Sequence, residues 1–177
     1  MRRGRGRFPF RIAVPPWSAK IIYDVLAAVA QGRTPLVLTG RTDHLDRLAL
    51  GLSSVENVLI LKGGMGKKQR KVMAERLASI PNDMPRIILA TGSYIGEGFD
   101  DSRLDTLFLT MPISWRGTLQ QYVGRLHRIH HDKKTVRVYD YVDGKAPMLA
   151  RMSKKRSKGY RAISYIVEAE STSGSQR

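Results

Sequence analysis

Five short apolar runs constrain this chain more than any other feature: PLVLT (35–39), NVLIL (57–61), RIILA (86–90), LDTLFLT (104–110) and TVRVYDYV (135–142). PLVLT is apolar at successive positions, a strand of the buried type. Between the runs lie stretches whose apolar residues recur at helical spacing: 17–32, 42–52, 67–80 and 114–129, with a last one opening at Pro147. Ser18 is the expected N-cap of the first helix and Gly32 its stop. Short buried strands alternating with helices form βαβ units, which need a parallel sheet covered on both sides. The fold class is therefore α/β, a three-layer α/β/α sandwich with a mainly parallel sheet. The expected organisation is a basic flexible arm over 1–14, the sandwich over 15–142, a basic C-terminal helix within 143–170 and a disordered tail over 171–177. Pro147 opens that last helix, which is expected to run to Glu170 with Gly159 as its weak point.

Charge narrows the partners. Thirty-one Lys and Arg against 15 Asp and Glu give a net charge of +16, more than solubility requires. Such a field attracts polyanions, of which the phosphodiester backbone of DNA or RNA is the commonest. No stretch of about 18 apolar residues exists to span a membrane. The chain has no cysteine, which excludes disulfides and thiolate zinc sites and leaves the cytoplasm as the default compartment.

Ligands of open α/β sheets gather at the carboxyl ends of strands, so three loops matter most. The loop after 57–61, KGGMGKK, fails as a phosphate-binding P-loop. Leu61 stands where the first glycine belongs and Lys68 where Ser or Thr should hold magnesium. It remains a glycine-rich basic loop whose amides and Lys62 suit a phosphate backbone. The loop after 86–90, TGSYIGEGFDD, holds Gly92, Gly96 and Gly98 but Asp101 where a dinucleotide fingerprint needs its third glycine. A threonine hydroxyl for phosphate and a carboxylate for ribose fit its composition better than a metal site does.

The segment QQYVGRLHRIHH (120–131) gathers three histidines and two arginines. At about 100° per residue, Gln121, Gly124, Arg125 and Arg128 share one face, while Tyr122, Val123, Leu126 and Ile129 form the core face. His127 and His131 supply two candidate metal ligands, but no cysteine or partner carboxylate completes a zinc set, so no metal is expected. Two arginines with a glycine beside them suit a polyphosphate better. Gly124 costs a helix about 1 kcal/mol relative to alanine, which predicts a close approach there.

These residues resemble the second RecA-like domain of a superfamily 2 helicase, of DEAD/DEAH-like and restriction-type flavour. QYVGRLHR is similar to the family's motif VI, Gln-x-x-Gly-Arg-x-x-Arg, at Gln121, Gly124, Arg125 and Arg128. ATGSYIGEGFD resembles motif V, and LVLTGRTDHLDRL resembles motif IV. The resemblance covers about residues 15 to 142 and implies an ATP-dependent helicase or translocase. Arg125 and Arg128 would reach the β- and γ-phosphates of ATP as arginine fingers, with Gln121 on phosphate or the attacking water and Gly124 beside them. Gly98 and Asp100 would lie near the nucleotide, Asp100 toward the ribose. Thr91, Gly92, Arg41, Lys62 and Gly63 would hold the nucleic-acid backbone. The family's first RecA-like domain carries the Walker A Lys-Ser/Thr and the Asp-Glu that bind Mg2+. Some thirty residues precede motif IV and no Gly-Lys-Ser/Thr occurs, so this chain alone is expected not to hydrolyse ATP. A first domain would join it in cis, if the chain is a fragment or truncated frame, or in trans. The alternative is a non-enzymatic basic nucleic-acid-binding or adaptor module derived from a helicase half.

Overall fold

The computed structural model describes residues 16–95, 101–110, 119–131, 133–142 and 146–168. All five apolar runs form strands: β1 (Pro35–Thr39), β2 (Val58–Leu61), β3 (Ile87–Thr91), β4 (Thr106–Leu109) and β5 (Arg137–Asp140). They pair in the order β2-β3-β1-β4-β5, and every pairing is parallel. The helices are α1 (Pro16–Ala30), α2 (Thr42–Gly51), α3 (Lys67–Ser79), the single turn α4 (Gly92–Ile95), α5 (Gln120–Leu126) and α6 (Pro147–Ala162).

The strand register shows what the apolar runs pack against. Leu59, Ile88, Leu36, Leu107 and Val138 form one row across the sheet, and Leu61, Ala90, Leu38, Leu109 and Asp140 form the next on the same face. Leu77 of α3, Tyr94 of α4, Tyr122, Val123 and Leu126 of α5 and Tyr160 of α6 close over the apolar part of these rows. The alternate residues, among them Val37, Leu89 and Phe108, face the other way, toward Ile21, Val25 and Ala28 of α1 and Leu45 and Leu48 of α2. The expected three-layer sandwich is present: α1 and α2 cover one face, α3 to α6 the other. Deleting a fully buried leucine such as Leu36 should cost about 2–5 kcal/mol.

Three local expectations are corrected. α1 begins at Pro16, a residue type preorganised for a first helical position, so Ser18 is no N-cap. Ser18 is instead buried, with its hydroxyl 3.4 Å from His44 Nε2. Gly32, by contrast, closes α1 at φ 73°, with the Arg33 N–H donating to the Ala28 carbonyl. α6 passes through Gly159, which is buried, and stops at Ala162 rather than Glu170. Ser164 turns left-handed at φ 65° there, and the Tyr165 N–H donates to the Tyr160 carbonyl. The loop expected after β3 opens with the helical turn α4. The arm 1–14 and the tail 171–177 lie outside the described residues. Among the described residues, no helix is long and apolar enough to cross a membrane.

Candidate nucleotide and nucleic-acid site

The carboxyl ends of β2, β3 and β1 lie side by side, and hydrogen bonds link the loops that leave them. The Gly63 N–H donates to Thr91 Oγ1 at 2.7 Å, tying the loop after β2 to the end of β3. One residue on, the Gly92 carbonyl accepts the Tyr122 hydroxyl at 2.6 Å, tying β3 to α5. Tyr122 is fully buried, and burial raises its hydroxyl above the usual phenol value of 10.0. A buried tyrosine hydroxyl needs a partner, and the turn carrying Gly92 supplies it. Gly63, Thr91, Gly92 and the helix bearing Gln121, Gly124 and Arg125 are thus one connected unit.

Arg125 is the distinctive member. It is half-buried, and its Nη1 is enclosed with no hydrogen-bond partner among the described residues. An orphaned buried donor costs about 1–3 kcal/mol, more when charged, so its retention calls for an explanation. Arg86 also leaves Nη1 unpaired, but it lies just before β3 at the other end of the strand, only 1% exposed. Its Nη2 donates to the Ile80 and Pro81 carbonyls beyond α3, a structural role. Gln121 and Gly124 are exposed, and a Cβ built at Gly124 would meet nothing within 4 Å. Among the described residues nothing makes the close approach that Gly124 was expected to need.

The helical face drawn from the sequence stops short. α5 ends at Leu126, with His127 as its C-cap. Lys133 Nζ donates to the carbonyls of Leu126 and Arg128, both at 2.8 Å, satisfying acceptors that a longer helix would have used. Arg128 is therefore an exposed turn residue, not a helical neighbour of Arg125, although its N–H still donates to the Arg125 carbonyl at 3.2 Å. Ile129, expected in the core, is 97% exposed, whereas Tyr122, Val123 and Leu126 are buried as expected. His127 Nε2 lies 2.9 Å from the Tyr165 hydroxyl, and His130 stacks on His131.

Arg41 and Lys62 belong to a second group, turned toward α2. Arg41, exposed just after β1, makes two 3.0 Å hydrogen bonds to Asp43. The same contact holds the Asp43 carboxyl below its usual value of 3.8. Lys62 Nζ reaches Asp46 at 2.8 Å. Exposed ion pairs of this kind contribute little, so a phosphate can displace the carboxylates at small cost. Beneath them, His44 bonds Thr39 Oγ1 through Nδ1 at 2.9 Å and contacts Trp17. Burial lowers its imidazole below 6.5. Gly98 and Asp100 lie outside the described residues. Sequence reasoning missed the Tyr122 tie and the Lys133 cap. The tyrosine at a core position was the available signal for the first, and nothing local pointed to the second.

No protein-family model matches the chain, and no curated relative matches it in sequence. Solved structures do share its fold. The C-terminal part of the Fun30 ATPase domain superposes with TM-score 0.64 at 18% identity, over 86% of this chain and 50% of that one. UvsW of T4 gives 0.62 at 16%, over 82% of this chain and 32% of that one. Domain 2 of the DEAD-box helicase Mss116p, bound to an RNA duplex, gives 0.56 at 12%, over 78% and 55%. The chain thus spans between about a third and about half of these proteins' lengths. Its fold is the RecA-like α/β fold of helicase C-terminal domains.

Proposed function

From a helicase second-domain fold, we propose that this chain works as the C-terminal half of an ATP-dependent nucleic-acid helicase or translocase. In this reading a first RecA-like domain binds ATP and Mg2+ through its own Walker residues. Arg125 and Arg128 then complete the site across the cleft, with Gln121 on the phosphate side and Gly98 and Asp100 toward the nucleoside. The observation that carries the reading is the enclosed Nη1 of Arg125, which has no hydrogen-bond partner among the described residues, on a helix tied to Gly92 and beside Gly124, whose Cβ position meets none of them. A guanidinium fork offered to a polyphosphate would find there the acceptor that Nη1 lacks among the described residues. Thr91, Gly92, Gly63, Lys62 and Arg41 supply backbone contacts that carry no base sequence, as a translocating motor needs. Because Thr91 and Gly92 are bonded to the two neighbouring units, cleft closure on ATP at Arg125 would shift the strand-holding loops with it.

The test pairs the chain with a co-purifying or neighbour-encoded domain carrying Walker A and B residues, and measures nucleic-acid-stimulated ATP hydrolysis. Arg125→Ala and Arg128→Ala are each expected to lower turnover by about 10^3-fold or more. Undiminished turnover in both would remove the arginine-finger assignment.

A further inference from the structure

The cationic residues of the helices are handled in two different ways. On α1 and α2 acids equal or outnumber them, and Lys20–Asp24 and Arg47–Asp43 pair one turn apart; α3 carries five cations with Glu75 as its one acid, paired with Lys71. α6 holds six cations and no acid in its sixteen residues. One of the six, Arg156, is 2% exposed and docks the helix: its Nε and Nη2 meet the Asp140 carboxylate at 2.7 and 2.8 Å. The other five, Arg151, Lys154, Lys155, Lys158 and Arg161, are exposed and have no acidic partner among the described residues.

Their spacing is not scattered. At about 100° per residue the five fall within an arc of about 120°, on the side away from Arg156 and Tyr160. Like charges three and four residues apart repel and weaken a helix, so chance surface drift does not favour such a stripe. The repulsion is relieved when a polyanion lies along it. From Arg151 to Arg161 the stripe runs about 15 Å, enough for several consecutive phosphates of one strand. Asp140, which anchors the helix, ends β5 at the carboxyl edge of the sheet, the edge from which the candidate loops leave.

We propose that the exposed face of α6 is a second nucleic-acid backbone site, a cationic rail separate from the strand-end loops. It takes the phosphodiester backbone of a single strand and makes no base-specific contact. The proposal rests on the nucleic-acid part of the function proposed above and adds a contact surface to it.

The measurement is the salt dependence of binding of the full chain to a labelled oligo-dT of about 20 nucleotides, where each neutralised phosphate contributes about 0.7 to the log–log slope. Replacing all five cations by glutamine should lower the slope by about 2 to 3.5 and weaken binding at least about tenfold near 0.1 M salt. Two half-variants, Arg151→Gln with Lys155→Gln and Lys158→Gln with Arg161→Gln, should each lower it by about 1, and they stand in if the fivefold variant does not fold. An unchanged slope and affinity in folded variants overturns the rail. So does retained oligonucleotide binding with loss of binding to anionic phospholipid vesicles, which would make α6 a membrane contact. Arg41→Ala with Lys62→Ala separates the two claims. Weakening by the loop variant alone overturns the rail and leaves the proposed loops standing; weakening by the α6 variants alone supports the rail and removes the loops.

Discussion

Arg33 and Arg125 are two arginines of the same sandwich, and their surroundings could hardly differ more. Arg33, just before β1, has an acceptor at each of its three nitrogens. Its Nε donates to Thr106 Oγ1 at 2.6 Å, Nη1 to Thr135 Oγ1 at 3.0 Å, and Nη2 to the carbonyls of Asp105 and Thr135. The Asp105 carboxylate next to it accepts the Thr34 N–H. These bonds staple the starts of β1, β4 and β5 together. Arg125, on the helix whose Tyr122 reaches Gly92 after β3, keeps an enclosed Nη1 without a partner among the described residues. A guanidinium with an internal acceptor at every nitrogen holds a fold; in the proposed reading, one left incomplete takes its acceptor from outside.

The comparison can be broken by mutation. Arg33→Ala leaves Asp105, Thr106 and two carbonyls short of partners and should cost roughly 2–4 kcal/mol in denaturant unfolding. Arg125→Ala removes an orphaned donor and should stay within about 1 kcal/mol of the parent. Equal losses at the two sites would erase the distinction. Tyr122→Phe should follow, at about 1–2 kcal/mol, because it strands the Gly92 carbonyl. It should also slow ATP turnover in the assembled pair, less than loss of Arg125 does; unaltered turnover would show that α5 and β3 act independently.

The smallest effect belongs to His44. Burial lowers its pKa below the ordinary 6.5, so the unfolded chain takes up its proton first and stability rises with pH through that region. The thermal midpoint should therefore fall as pH drops from about 7.5 to 5.5, and the fall should be shallower in His44→Gln. A slope that His44→Gln leaves unaltered would assign the pH dependence to other groups.

How much of this was legible in the residues depends on how local each cause is. Strands buried on both faces must be apolar at every position, so β1 and β3 announced themselves, and with them the sandwich; β2, at the sheet edge, has Val58 and Ile60 only partly buried. The end of α5 did not. Helical spacing continues through Arg128 and Ile129, but Lys133 folds back onto the Leu126 and Arg128 carbonyls and stops the helix. That is why Ile129 is exposed and why Arg125 and Arg128 do not share a helical face. The bond from Tyr122 to Gly92 joins residues thirty positions apart, and no periodicity carries that information. The same holds for Asp140 and Arg156, which only the docking of α6 brings together.

The central claim is that Arg125 is kept incomplete for a phosphate, and ATP turnover of the chain assembled with a Walker-bearing first domain tests it most directly. With Arg125→Ala, after its thermal midpoint has been matched to the parent, turnover should drop by about 10^3-fold or more while the assembly persists. Parental turnover in that folded, assembled variant would contradict the account.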